Sequence, residues 1–128
     1  MGVHNCYQEM CFSFVFLHFA AIPDPFLRVP QTHSALAGSN TSLTCETKPG
    51  AGTVRWVKGH HQPSDAAAVI RDRAGRYEIR RPSAGVSELH IYGVEFADED
   101  VYRCYVGFIF QAPDLNYAKA TLTVQCKL

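Results

Sequence analysis

The sequence has no excess of either charge. Lys plus Arg number 12 and Asp plus Glu number 12, so the formal charge is zero and no electrostatic grip on nucleic acid or an anionic membrane is expected. No block of like charges and no internal repeat occurs. Long hydrophobic runs are also missing. The most apolar stretch, residues 11–21, is shorter than the about 20 apolar residues that a membrane-spanning helix needs. Catalytic signatures are absent: there is no Gly-x-Ser-x-Gly elbow, no Gly-rich phosphate loop and no dinucleotide fingerprint. Asp98, Glu99 and Asp100 do cluster, but at a turn, where a solvated corner suffices. No enzyme activity, no cofactor and no small-molecule substrate is expected.

Metal-ligand spacing is missing as well. Cys6 and Cys11 have no matching second pair, and no pair of histidines follows at finger distance. His60 and His61 are adjacent, so on a strand they would point to opposite faces. With Lys58 they form a loop read as solvated ahead of a binding patch, and no metal site is expected. The cysteine count is five (Cys6, Cys11, Cys45, Cys104 and Cys126), which leaves at least one thiol unpaired within the chain.

What is present suits one globular domain. The chain has 128 residues, and hydrophobic residues at 47% far outnumber charged ones at 19%. The ends do not match the middle. Residues 1–21 hold the apolar run with Glu9 and no Lys or Arg before it, and they lack a clean small-x-small cleavage site. Three origins stay open: a translated intron, a secretory signal peptide, or a packed extension. The first is preferred, because Phe-rich protein is what pyrimidine-rich DNA encodes beside a splice acceptor. The last three residues can likewise be encoded by a donor-like string. The expected organisation is therefore 1–21 outside the domain, 22–125 the domain, and 126–128 a tail.

From residue 23 onward apolar residues recur with period two. Leu43 and Cys45 share one face. So do Val54 and Trp56, Tyr77 and Ile79, Leu89 and Ile91, Tyr102 with Cys104 and Val106, and Ala118 through Val124 at alternate positions. Gly and Pro clusters separate the runs, and no long amphipathic helix appears. One-sided strands imply antiparallel sheets, and two of them packed face to face make an all-β sandwich.

Cys45 and Trp56 lie 11 positions apart, and Cys45 and Cys104 lie 59 apart. Tyr102 sits two residues before Cys104, and Leu89-x-Ile91 stands ahead of them. This set resembles the immunoglobulin superfamily over roughly residues 25–125. The resemblance implies a disulfide between Cys45 and Cys104 across the sheets, with Trp56 packed against it. It also implies a Tyr102 hydroxyl bonded back to the backbone, and Asp98 paired with Arg76 or Arg73. One departure is Asp100, where the family usually has Gly or Ala.

The strings Val54-Arg55-Trp56-Val57-Lys58-Gly59 and Gly75-Arg76-Tyr77-Glu78-Ile79 are similar to intermediate-set domains of muscle proteins such as titin, obscurin and myosin-binding protein C. The stretch 66–73 is long enough for the extra C′ strand that intermediate and variable sets share. The resemblance implies a protein-interaction and spacer module beside other immunoglobulin or fibronectin-type domains. An intracellular sarcomeric or cytoskeletal setting is placed ahead of a cell-surface or secreted one. Phe108, Ile109, Phe110 and Tyr117 put aromatic and apolar groups near the last hairpin; as a patch they would bind protein, as an extended hairpin they would face the core. Asn40-Thr41-Ser42 is a glycosylation acceptor, meaningful only in a secreted chain.

Overall fold

Strand formation follows the alternation residue by residue. The computed structural model describes residue 22 and residues 25–60, 67–73, 75–107 and 116–126. Eight strands appear in it: β1 (Phe26–Arg28), β2 (His33–Leu36), β3 (Thr41–Thr47), β4 (Thr53–Lys58), β5 (Tyr77–Arg80), β6 (Val86–Ile91), β7 (Asp100–Gly107) and β8 (Tyr117–Gln125). A short 3-10 turn, Phe96–Asp98, leads into β7. The strands form two four-stranded sheets, ordered β1-β3-β6-β5 and β2-β8-β7-β4.

The expectation of two antiparallel sheets needs one correction. β2 runs parallel to β8, with His33 opposite Leu122 and Leu36 opposite Gln125. The cause is local. Phe26 and Arg28 pair with β3 in the first sheet, across an irregular register. Pro30 follows, with no N–H to give to a ladder. The chain therefore leaves the first sheet and lands beside β8 in the second, where Thr32 Oγ1 accepts the Thr121 N–H at 3.0 Å.

The inner faces meet as the period predicts. Leu43, Cys45, Trp56, Leu89, Ile91, Tyr102, Cys104, Ala120 and Leu122 are buried in one cluster. Cys45 and Cys104 are bonded, joining β3 of one sheet to β7 of the other with Cα atoms 6.6 Å apart. Closing a loop of this length stabilises by roughly 4 kcal/mol in the chain-entropy account. Cys126 is disulfide-bonded too.

Gly85 shows how closely the β5–β6 turn approaches β3. Its φ is +79°, and an added Cβ would lie 2.6 Å from the Thr47 carbonyl oxygen. Gly38 has a similar φ of +87° with open space around it. Gly38→Ala is expected to cost about 1 kcal/mol from backbone strain alone. Gly85→Ala should cost about 2–3 kcal/mol, because backbone must also move. Urea unfolding of both variants separates the two effects.

Candidate functional site

The carboxylates that could have suggested catalysis are each occupied structurally. Asp98 is 1% exposed and sits at the corner before β7. The Arg76 guanidinium donates to both of its oxygens, at 2.6 and 3.0 Å. The Tyr77 hydroxyl donates at 2.9 Å and the Glu95 N–H at 2.7 Å. Burial alone would raise the Asp98 carboxyl; the bonds from Arg76, Glu95 and Tyr77 outweigh it and hold the group below the usual carboxylate range. Glu99 accepts the Val124 N–H at 3.0 Å, and Asp100 accepts the Val101 N–H at 2.7 Å. The Tyr102 hydroxyl donates to the Asp98 carbonyl at 2.6 Å, the corner expected from the resemblance. Burial pushes the Tyr102 phenol up, so it stays a neutral donor.

Trp56 is fully buried and donates its indole N–H to Ser87 Oγ at 2.9 Å. It lies opposite Cys104 in the β4–β7 register. Leu89 is fully buried on β6. These residues build the frame and leave no reactive group free. Among the described residues, no group of three or more His, Cys, Asp or Glu side chains could hold a metal.

The outer face of the second sheet is different. Val57, Arg103 and Lys119 form one cross-strand row, and Arg55, Tyr105 and Tyr117 form the next. The Tyr105 and Tyr117 rings lie 5.2 Å apart between centroids. The Arg103 guanidinium sits 4.9 Å above the Tyr117 ring and reaches the Tyr105 hydroxyl at 3.3 Å. Its second arm meets His60 Nδ1 at 2.7 Å. Arg103 Nε is buried and makes no hydrogen bond among the described residues. Tyr105 is 4% exposed although it points away from the core, while Tyr117 is 36% exposed. Val57, also outward, is fully buried. Val69 bridges to Val57, and the Ile70 N–H bonds the Trp56 carbonyl at 2.9 Å, so the segment 67–70 covers that edge.

This cluster contains Tyr117, expected from the sequence, and His60. Phe108, Ile109, Phe110 and His61 lie outside the described residues. Arg103 and Tyr105 were not anticipated. The signal for them is an aromatic and an arginine at the outward register of the strand carrying Cys104, where small polar residues would serve as well. Asn40 stands apart, exposed on the β2–β3 loop at the opposite end of the sandwich from Tyr117.

The family model for the immunoglobulin V-set domain matches residues 28–126. The chain belongs to the immunoglobulin V-set family. Structural likeness agrees on the fold. The chain superposes on a two-domain titin segment with TM-score 0.62 and 20% identity, covering 79% of this chain and 47% of that one. It also matches the titin M3 domain, with TM-score 0.62, 17% identity, and coverage of 78% and 94%. A third match is the first immunoglobulin domain of Dpr1, solved bound to that of DIP-eta, with TM-score 0.58, 17% identity, and coverage of 82% and 99%. The chain spans about half the length of the two-domain structures that it matches. A comparison with curated protein sequences returned no match. The intermediate-set likeness to muscle domains expected from the sequence is consistent with the titin matches, and the Val57–Val69 bridge marks the C′ position that the intermediate and variable sets share.

Proposed function

We propose that this immunoglobulin domain is a non-catalytic protein-binding module of a larger protein, and that its partner is another immunoglobulin-type domain docked on the outer face of the second sheet. The observation that carries the proposal is the exposed Tyr117 ring with the Arg103 guanidinium over it, backed by the buried Tyr105 ring. Aromatics and arginine supply most interface energy, because they bring large area with little conformational freedom to lose. Here the two rings already pack at a tilt and the guanidinium lies over Tyr117 before any partner arrives. Phe108, Ile109 and Phe110, which follow β7 in sequence, are included in the proposed surface. Similar structures support the class of partner: one is the homodimer of the ZIG-8 first immunoglobulin domain, another the first immunoglobulin domain of Dpr1 bound to that of DIP-eta.

The Cys45–Cys104 bond supports an oxidising setting, hence an ectodomain. On that ground the ectodomain is placed here ahead of the muscle setting drawn from the strand strings. The intracellular spacer remains the second reading, supported by the titin likeness.

The test is a binding screen of the domain against itself and against immunoglobulin ectodomains from the same organism. Tyr117→Ala is expected to weaken the complex about 30-fold, a loss of about 2 kcal/mol. Thr44→Ala, on the outer face of the other sheet, should change nothing. Binding that ignores Tyr117 and Arg103 but falls with Thr44 would place the surface elsewhere.

A further inference from the structure

We infer that Asn40 is an N-glycosylation site, and that its glycan stands at the end of the sandwich where the chain leaves the domain. The inference rests on the oxidising-compartment reading above. The acceptor triplet Asn40-Thr41-Ser42 straddles the start of β3. A triplet is common by chance, so the geometry has to decide. Asn40 and Ser42 are both exposed, while the middle residue turns inward and Thr41 Oγ1 meets His33 Nε2 at 2.7 Å. The two positions that the transfer reads are therefore free in the folded domain.

The Asn40 carboxamide is also held in a suitable pose. Its Oδ1 accepts the Gly93 N–H at 3.0 Å. That bond uses the oxygen and, among the described residues, leaves Nδ2 as the unengaged atom of a planar group. A sugar on Nδ2 would keep the bond, since the amide oxygen survives the reaction. The chemistry balances with one co-reactant, a lipid-diphosphate-linked oligosaccharide. Nδ2 attacks the anomeric carbon, a C–N bond forms, the C–O bond to diphosphate breaks, and Nδ2 loses one proton.

The root of the glycan is rigid. The Gly38 N–H bonds the Val94 carbonyl at 2.7 Å, and the Val94 N–H bonds the Ser39 carbonyl at 2.8 Å. The Ala37 N–H bonds the Gln125 carbonyl at 2.8 Å, so the loop is tied to the last residue of β8. Tyr117 starts β8 at the other end, about 26 Å away at about 3.3 Å per residue. The glycan therefore flanks the junction with any following domain and leaves the Arg103–Tyr105–Tyr117 surface uncovered.

The experiment expresses the full chain behind a cleavable signal sequence in cultured animal cells and examines the total translocated pool. The expected result is a mobility shift that peptide N-glycosidase removes, leaving an aspartate at position 40 by mass spectrometry. Ser42→Ala should abolish the shift while Asn40 and its bond to Gly93 stay, and Ser42→Thr should retain it. A translocated chain whose Cys45–Cys104 bridge is formed but which carries no sugar overturns the inference and leaves the oxidising reading standing. Free thiols at both positions in the native protein would instead remove the reading beneath it.

Discussion

Asp98→Ala is expected to destabilise the domain by about 3 kcal/mol, the low end for breaking a buried ion pair. The low end applies because the Arg76 side chain is 34% exposed and keeps Glu95 within 3.4 Å. Three donors lose their acceptor at once: the Arg76 fork, the Tyr77 hydroxyl and the Glu95 N–H. The loss should lower the melting temperature by on the order of 15 °C in a domain of this size. Asp98 also sets the acid limit. Its folded carboxyl titrates below its unfolded value of about 3.9, so the stabilisation is fully present above that pH and is lost as pH falls through the lower, folded value. Asp98→Asn should remove this part of the acid dependence, read as a flatter stability profile below about pH 4. An unchanged acid limb would show that other carboxylates set it.

Trp56→Ala is expected to cost about 3–5 kcal/mol, as truncation of a fully buried aromatic does. The indole fills the space between the sheets beside Cys104, and its removal also strips Ser87 of its donor. Trp56→Phe separates the two contributions. It keeps most of the ring volume and loses the N–H, so about 1–2 kcal/mol is expected from the unpaired Ser87 hydroxyl and the smaller ring. Trp56 is the only tryptophan, so these variants must be followed by circular dichroism rather than by indole fluorescence. Equal losses for Phe and Ala would assign the whole effect to the hydrogen bond.

The frame was legible because its residues obey a simple period. Cys45, Trp56, Leu89, Tyr102 and Cys104 all fall on the inward parity of their strands, and all are buried. Asp98 was legible through the resemblance, which offered Arg76 or Arg73; the structure selects Arg76. Alternation says which way a side chain points, and it does not say what covers it. Val57 and Tyr105 have outward parity and are still buried, because the segment 67–70 and neighbouring rings lie over them. The Tyr105–Tyr117 pair depends on the β7–β8 register, which sequence distance does not fix. The parallel β2–β8 pairing was also hidden: Pro30 marks a break, but not where the chain goes after it.

The central proposal is that an oxidised immunoglobulin sandwich presents a binding surface outside the reducing cytosol. Thiol trapping on the native protein, followed by peptide mapping without reduction, tests it most directly. A linked peptide pair joining Cys45 to Cys104 is the expected result. Alkylated thiols at both Cys45 and Cys104 in freshly lysed tissue would contradict it and move the intracellular spacer to first place.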